Sequence, residues 1–183
     1  MATRSNKIFI PNEVYFITFT ILGWQPIFIN DKYRDLIFKW FDYMKQNYNN
    51  KIHGYVIMPN HIHVLLKITD QSPKISTLVQ NAKRFLAYQI VALLKDDHQD
   101  RILESFAAAA KISTGAHHRV FQDRYASLII TSQNFFLEKL NYIHNNPCTK
   151  YWHLAACPEH YPYSSASNYI SGHGVYDVEL IDF

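Results

Sequence analysis

The stretch MPNHIHVLL at residues 58–66 carries two histidines one residue apart, inside a run that is otherwise suited to burial. In a β-strand, successive side chains alternate between the two faces, so His61 and His63 project from one face and Ile62 and Val64 from the other. Two neutral imidazoles in this arrangement can bind one metal ion and leave positions open for a third ligand and a substrate. The alternative for so short a motif is a pair of half-buried polar residues that are hydrogen-bonded to their neighbours.

A second group of reactive side chains lies in the stretch FFLEKLNYIHNNP. In a helix with 100° per residue, Tyr142 and Asn146 lie one turn and about 40° apart, on the flank of an apolar stripe. A tyrosine so placed can attack a phosphodiester and hold the DNA end as a phosphotyrosine ester, provided that a metal polarises the phosphate. The amide oxygen of Asn146 is the candidate third metal ligand. The stripe itself consists of Phe136, Leu140 and Ile143.

The elements that must position these groups begin with a strand and a helix. Residues 14–22 are β-branched and aromatic, which predicts a strand, and the apolar spacing of residues 31–48 predicts an amphipathic helix with Asp31 as its cap. Residues 51–59 and 61–69 are both strand-like and are separated by a Pro-Asn turn. They are predicted to form an antiparallel hairpin whose second strand carries the histidine pair.

A long helix is predicted over residues 74–97, because apolar residues recur on one face of it. Lys83 and Arg84 lie on its polar side. The predicted apolar face consists of Leu78, Ala82, Phe85, Leu86 and Ile90.

Beyond this helix the pattern weakens and then recovers. Residues 96–118 lose clean periodicity and are predicted to form a flexible connection within the domain. Residues 118–131 predict a strand, and residues 132–147 predict a helix that is capped by Ser132 and ended by Pro147. Strand pairs interrupted by helices, without regular βαβ alternation, indicate an α+β fold with a mainly antiparallel sheet.

Composition narrows the class of protein. The chain has 183 residues and a 48% hydrophobic content, which suits one well-filled core and one domain. Cys148 and Cys157 are too few for a disulfide framework or a zinc ribbon, and no apolar stretch resembles a signal peptide or approaches the roughly 18 residues of a membrane span. We therefore expect a cytoplasmic protein without a membrane partner. A net charge of +3 and an aromatic content of 15% agree with a nucleic-acid partner without establishing one.

Three motifs in this order, NHIHVLL, YIHNNP and YPYSSASNYI, resemble those of the single-tyrosine HUH transposases, and especially the branch of REP-associated tyrosine transposases. The similarity extends over roughly residues 8–170. It implies a ferredoxin-like α+β fold, in which helices pack on an antiparallel sheet. It also implies one transposase-like domain over residues 1–183, with residues 148–183 as a C-terminal extension that packs on it. The implied activity is cleavage and rejoining of single-stranded DNA beside a hairpin, with Mg²⁺ or Mn²⁺.

The resemblance assigns roles by position. His61 and His63 correspond to the metal ligands of the family, and Tyr142 corresponds to its nucleophile. Asn146 falls where insertion-sequence members usually carry a glutamine that completes the metal site, and asparagine is one methylene shorter. His144 is interpreted as a supporting or structural residue, although either it or Asn146 could complete the metal site.

Four basic residues are candidate phosphate contacts: Lys83, Arg84, Arg119 and Arg124. The alternative is that they form an ordinary solvated surface. Two other functions also stay open at this point: a metal-dependent nuclease that uses water as nucleophile, and a non-catalytic protein that binds hairpin DNA. A homodimer is compatible with the resemblance, and the sequence leaves open whether one chain or two complete the active site.

Overall fold

The computed structural model describes residues 9–112 and 117–181. Three short 3-10 turns, at Leu22–Trp24, Asn146–Cys148 and Pro158–His160, accompany the longer elements. These longer elements are β1 Glu13–Thr20, α1 Asp31–Tyr48, β2 Lys51–Met58, β3 His61–Ile68, α2 Ile75–Asp96, α3 Asp100–Ile112, β4 Ala126–Ile129, α4 Gln133–Asn145 and α5 Ala166–Ser171.

The four strands form one sheet in the order β2-β3-β1-β4, and each neighbouring pair is antiparallel. The predicted hairpin is therefore confirmed as β2 and β3, and the predicted α+β class with a ferredoxin-like antiparallel sheet is confirmed with it. In the register of the two central strands, Thr18 of β1 lies opposite His63 and Thr20 lies opposite His61. Polar side chains of β1 are thereby aligned with the histidine pair.

One face of the sheet is covered by α1, α2 and α3, and the larger core lies between them. The predicted apolar stripe of α1 is buried there, including Ile37, Phe41 and Met44, which have no exposed surface. Burial of each such side chain stabilises the fold by roughly 1.5–3 kcal/mol. None of the described helices is both long and apolar enough to cross a bilayer.

The opposite face carries a smaller core under α4. Ser132 caps this helix as predicted, since its hydroxyl accepts a hydrogen bond from the Phe135 amide at 3.2 Å. Leu140 packs against Gly54 of β2, where a Cβ atom would lie only 2.8 Å from the Leu140 Cδ1 atom. Glycine at this position therefore lets α4 lie close to the sheet.

The stretch YPYSS joins the edge of the sheet formed by β2. The amide of Ile57 donates to the carbonyl of Tyr163 at 2.9 Å, and the Tyr161 hydroxyl donates to the carbonyl of Ile57 at 2.7 Å. Ser164 and Ser165 are fully buried. This part of the chain therefore packs against the smaller core and covers the edge of β2, which would otherwise be exposed.

The predicted flexible connection at 96–118 was wrong over most of its length, because residues 100–112 form α3. Alanine has the highest helix propensity, and Phe106 and Ala110, four residues apart, are both buried. The sequence carried a signal for this face, because Ile102, Phe106 and Ala110 recur at a spacing of four residues. Residues 113–116 of the predicted connection lie outside the described residues.

The strand predicted at 118–131 is confirmed only for Ala126–Ile129. Upstream, Phe121 makes an isolated bridge with Ile21, and three following carbonyls accept hydrogen bonds from the Lys83 amine instead of from a neighbouring strand. Residues 120–122 thus pair briefly with residues 20–22, and the carbonyls of residues 122–124 then bond to a lysine.

Two smaller predictions were also wrong. The cap residue of α1 is Asn30, and Asp31 is the first helical residue, where its carboxylate pairs with Arg34 at 2.8 Å. Phe85, which was predicted to lie on the apolar face of α2, is 40% exposed, because the buried stripe runs through Ala82, Leu86 and Ile90.

Candidate active site

The histidine pair lies in the layer between the sheet and α4. His61 and His63 expose only 7% and 5% of their surface, so they are more deeply buried than the half-buried residues considered from the sequence. Their ring centroids are 4.7 Å apart and the rings are nearly perpendicular, at 81°. The strand alternation predicted from the sequence thus brings both imidazoles together on one face.

A chain of hydrogen bonds sets the orientation of His61. The Asn60 Nδ2 group donates to the carbonyl of Trp24 at 3.1 Å, which turns the Asn60 Oδ1 atom toward the imidazole. That oxygen lies 2.7 Å from the Nδ1 atom of His61. Because an amide oxygen can only accept, Nδ1 carries the proton and Nε2 keeps its lone pair.

His63 is held in the same tautomer from the neighbouring strand. Its Nδ1 atom lies 2.5 Å from the Oγ1 atom of Thr18, and its Nε2 atom lies 3.3 Å from the Nδ2 atom of Asn146. Since the Asn146 amide nitrogen donates, Nε2 is the accepting atom and Nδ1 donates to the threonine hydroxyl. The hydrogen bonds to neighbours that the sequence offered as an alternative to metal binding therefore occupy Nδ1 of both rings.

Burial keeps both imidazoles neutral. Desolvation lowers the pKa of His61 to about 4. Desolvation also lowers the pKa of His63 to about 3, with a smaller contribution from the nearby His61. At neutral pH, both rings are therefore unprotonated at Nε2, which is the state that a metal ligand requires.

Tyr142 of α4 reaches the histidine pair from above the sheet. Its ring centroid lies 5.2 Å from that of His63 and 6.0 Å from that of Phe16, and it meets both rings edge to face. The side chain is 49% exposed, so its hydroxyl is accessible to a substrate. The interpretation that Tyr142 lies off the buried stripe of its helix agrees with this exposure.

The end of α4 turns Asn146 under the same group. The helix ends at Asn145, and Asn146 begins a 3-10 turn that contains Pro147, whose missing N–H cannot continue the helix. Asn146 is buried, and its amide reaches His63 across the layer. Rotation of the Asn146 amide by half a turn about its Cβ–Cγ bond would bring Oδ1, the atom that can bind a metal ion, to the position of Nδ2.

His144 lies on another side of α4. Its Nε2 atom is 2.9 Å from the Oγ atom of Ser165, which also accepts a hydrogen bond from the Tyr55 amide at 3.0 Å. Burial lowers the pKa of His144 to about 4. This residue therefore joins α4 to β2 and the C-terminal segment, and it does not face the histidine pair.

An open cleft of about 400 Å³ gives access to the group. His63 is not among the lining residues, but it contacts both Tyr142 and Asn146, which are. The lining residues are Trp24, His61, Tyr142, Asn146, Tyr151 and Trp152. The structure thus brings together all four residues that the sequence singled out for metal binding and nucleophilic attack.

The donor set is compatible with a divalent cation. It offers two imidazole nitrogens and one amide, and the described residues contain no group of three or more His, Cys, Asp or Glu side chains placed to hold a metal. A cation bound here would therefore keep open positions for water or a phosphate oxygen. Mg²⁺ prefers oxygen ligands, whereas two of the three protein donors here are imidazole nitrogens, so this donor set favours a transition-metal ion over Mg²⁺.

None of the four candidate phosphate contacts is among the residues that line the cleft. The Lys83 amine donates to three successive backbone carbonyls at distances from 2.7 to 3.5 Å, and burial lowers its pKa to about 8. Arg119 forms an ion pair with Asp123 at 2.5 Å. Lys83 and Arg119 thus hold the segment before β4, whereas Arg84 and Arg124 are exposed. A DNA contact stays a prediction for all four.

Sequence reasoning missed the residues that orient and surround the site. Thr18 could have been identified from the sequence, because threonine occurs at every second position at the end of an otherwise apolar strand and therefore marks a polar face. Asn60 stands directly before His61 but was interpreted only as a turn residue. Nothing in the sequence pattern brought Trp24, Tyr151 or Trp152 to the cleft, because they are distant in the chain.

Comparison with known proteins relates this chain to transposases. A family model described as "Transposase IS200 like" matches residues 25–146, which include the histidine pair, Tyr142 and Asn146. A comparison with curated protein sequences gives no significant match.

Two solved structures are similar to the chain. The first is a REP-associated tyrosine transposase bound to a REP hairpin, with a TM-score of 0.65 and 16% identity, over 100% of this chain and 95% of that one. The second is a Deinococcus radiodurans protein described as a candidate transposase, with a TM-score of 0.46 and 17% identity, over 79% of this chain and 96% of that one. At these identities the first likeness establishes the fold.

Proposed function

The chain belongs to the IS200-like transposase family, and from this premise we propose that it cleaves and rejoins single-stranded DNA through a covalent 5′-phosphotyrosine at Tyr142. The observation that carries the proposal is the clustering of four side chains, three of which line one cleft. His61, His63 and Tyr142 have adjacent rings, and Asn146 lies 3.3 Å from His63. We further propose a single transposase domain, on which residues 148–183 form a C-terminal extension.

In the proposed cleavage step, the Tyr142 oxygen forms a bond to phosphorus while the bond from phosphorus to the 3′ oxygen breaks. The phenol gives up its proton to solvent, to which the half-exposed side chain has access. The leaving 3′ oxygen takes a proton from water and becomes a free 3′-OH. The 5′ end of the other fragment stays attached to the protein as a phosphodiester.

Rejoining is the reverse reaction with a different strand end. A 3′-OH attacks the phosphotyrosine, a phosphodiester of DNA forms, and the phenol is regenerated. Because one phosphodiester replaces another in each step, the bond energy is conserved and no nucleotide cofactor is needed. The buried imidazoles and the packed Phe16 ring hold the tyrosine in place throughout.

His61, His63 and Asn146 would hold a divalent cation, Mn²⁺ or Mg²⁺, which when bound polarises the scissile phosphate and offsets its charge. The proton on Nδ1 of each imidazole is held by Asn60 or Thr18, so each ring keeps the tautomer that presents Nε2. The hydrogen bonds to Asn60 and Thr18 therefore orient the two imidazoles before any substrate binds.

The proposed substrate is a single strand beside a hairpin. The similar solved structure is of a transposase bound to a REP hairpin, which supports hairpin DNA as the partner of this chain as well. A neighbouring hairpin supplies shape and register, while the scissile phosphate must be unpaired to reach both Tyr142 and the imidazoles.

The decisive experiment replaces Tyr142 with phenylalanine. This change keeps the ring that packs on His63 and Phe16 but removes the attacking oxygen, so the variant should fold and bind DNA yet form no adduct. The protein is incubated with a library of single-stranded hairpins and Mn²⁺, and the conjugate is detected on a denaturing gel. The matched control is Tyr151→Phe, which removes a hydroxyl from the same cleft and should still form the adduct.

Each alternative function predicts a different result in this assay. Cleavage that persists in Tyr142→Phe without an adduct means that water is the nucleophile and that the protein is a metal-dependent nuclease. Hairpin binding by the unaltered protein with no cleavage under any metal means that it is a non-catalytic binding protein. An adduct that maps to another tyrosine, such as Tyr125, contradicts the assignment of the nucleophile.

A further inference from the structure

Large aromatic side chains surround the mouth of the cleft without being buried by the protein. Trp24 is 59% exposed and Tyr151 is 84% exposed, although both line the same cavity as His61. Trp152 connects them to the site, since its ring centroid lies 5.1 Å from that of Tyr151 and 5.7 Å from that of His61. Single exposed aromatic residues are common, but two exposed rings and the partly buried Trp152 around one cavity form a surface that a flat ligand can cover.

Trp24 is held in a backbone conformation that bulky residues rarely adopt. Its φ angle is 57°, and that of the preceding Gly23 is 64°, so two successive residues are left-handed. Glycine tolerates this region, whereas tryptophan does not adopt it without support from its surroundings. Such strain in an exposed residue commonly accompanies a functional constraint, because packing alone does not require it.

Part of the support for this conformation comes from the proposed metal site, beside the hydrogen bond from the Trp24 amide to the carbonyl of Ile21 at 3.2 Å. The carbonyl of Trp24 accepts the Asn60 amide hydrogen bond at 3.1 Å, and the same Asn60 side chain orients His61. The indole of Trp24 also meets the His61 ring edge to face at 6.3 Å. The turn that presents the indole is therefore the turn that orients the imidazole, and a ligand on Trp24 lies directly beside His61.

From these contacts we infer that the cleft is a pocket for one unpaired nucleobase, which stacks on Trp24 and on the Tyr151–Trp152 pair. The inference rests on the proposed function for one point only, that single-stranded DNA is the substrate. A nucleobase offers two flat π-faces, and its phosphate is carried on a short flexible link toward Tyr142 and the imidazoles. The volume of about 400 Å³ falls within the range of about 300–1,000 Å³ for pockets that hold small ligands.

The pocket explains how an unpaired strand is selected. A base within a duplex has both faces covered by its neighbours and cannot stack on side chains, whereas a base in a single strand can be turned out. Stacking on aromatic rings depends little on which base is bound, so the pocket fixes the position of the nucleotide beside the scissile phosphate rather than its identity. Sequence preference then has to come from other parts of the protein.

The test compares alanine variants of the two most exposed rings. Trp24→Ala and Tyr151→Ala should each weaken binding of a short labelled single strand by about 5- to 100-fold, as stacked aromatics generally do. Trp24→Phe and Tyr151→Phe, which retain a ring, should restore most of the affinity. Tyr43→Ala is the matched control, because Tyr43 is half exposed but belongs to α1 in the opposite layer. Affinity is measured by fluorescence anisotropy in metal-free buffer, and folding by circular dichroism.

An abasic strand separates stacking from contacts with the phosphates. It keeps the phosphate charges but has no bases, so the unaltered protein and the two alanine variants should bind it equally weakly. Unchanged affinity of Trp24→Ala and Tyr151→Ala for the normal strand overturns the pocket, and so does tight binding of the abasic strand by the unaltered protein. The Trp24→Ala variant keeps the hydrogen bond from the Asn60 side chain, because the acceptor is the backbone carbonyl of residue 24.

Adduct formation is measured in parallel, so that a failure of the pocket and a failure of the proposed chemistry can be distinguished. A loss of affinity in the alanine variants, in a protein that never forms a Tyr142 adduct, supports the pocket and contradicts the proposed chemistry. Normal adduct formation with unchanged affinity in those variants contradicts the pocket alone. If the unaltered protein binds no single strand with or without Mn²⁺, both proposals are overturned.

Discussion

Thr18→Val tests whether contacts behind the imidazoles prepare them for a metal ion. Valine has nearly the shape of threonine but cannot accept the hydrogen bond from the Nδ1 atom of His63, which lies 2.5 Å from the hydroxyl. The Nδ1–H group is then left in a buried ring without its acceptor, which costs roughly 1–3 kcal/mol of unfolding free energy. Loss of such an orienting partner also weakens metal binding by about 10- to 100-fold, equivalent to about 1.4–2.7 kcal/mol.

Two measurements on the same variant check these magnitudes. Urea unfolding of the metal-free protein gives the loss of stability, and calorimetric titration with Mn²⁺ gives the loss of affinity. Thr20→Val is the matched control, because Thr20 is two residues along the same strand and lies opposite His61, but its hydroxyl makes no hydrogen bond to either histidine of the described site. If Thr18→Val binds Mn²⁺ as tightly as the unaltered protein, the orientation of His63 does not determine metal binding and the argument is refuted.

Three further outcomes are expected. Replacing His61 and His63 together with alanine should abolish DNA cleavage and, because both rings are buried, lower the unfolding free energy by roughly 2–4 kcal/mol in urea titration; retained cleavage would exclude the metal role. Fully paired DNA should be cut far more slowly than the single strand of the same sequence in a gel assay, and equal rates would contradict the substrate proposal. The unfolding free energy of the metal-free protein should be highest above about pH 6.5 and decrease as the pH falls toward 4, because burial lowers the pKa of His61 and His144 to about 4 and that of His63 to about 3, so that only the unfolded chain takes up these protons in that interval. His144→Gln should reduce this pH dependence, as measured by urea unfolding across the interval, and an unchanged dependence would show that His144 does not contribute.

Local periodicity accounts for what could be predicted about the site. Strand alternation placed His61 and His63 on one face, and the structure has them with ring centroids 4.7 Å apart. Helical periodicity placed Tyr142 beside the buried stripe of its helix, and the residue is half exposed there. Both predictions succeeded because they depend only on the geometry of a single element.

The same reasoning failed where local signals were weak or were overridden. Residues 100–112 carry apolar residues at a spacing of four, but four consecutive alanines weaken the contrast between the faces of the helix, and the contact of Phe106 with the larger core shows which face packs. The segment before β4 is β-branched and aromatic enough to predict a strand. Three of its backbone carbonyls instead accept hydrogen bonds from the Lys83 amine. Neither partner is close in the chain, and a pattern within one element cannot reveal a distant donor.

The sequence by itself determined the α+β class, the hairpin that bears the histidines, the helix that bears Tyr142, and the residue types available for chemistry. Only the tertiary structure decided that α4 lies over the histidine pair, that Thr18 and Asn60 hold Nδ1 of the two rings, and that Trp24 and Tyr151 flank one cleft. The physical reason is the distance along the chain over which each property is decided. Backbone geometry repeats over a few residues and can be deduced from spacing, whereas the burial, tautomer and pKa of an imidazole depend on side chains that packing brings from distant parts of the chain.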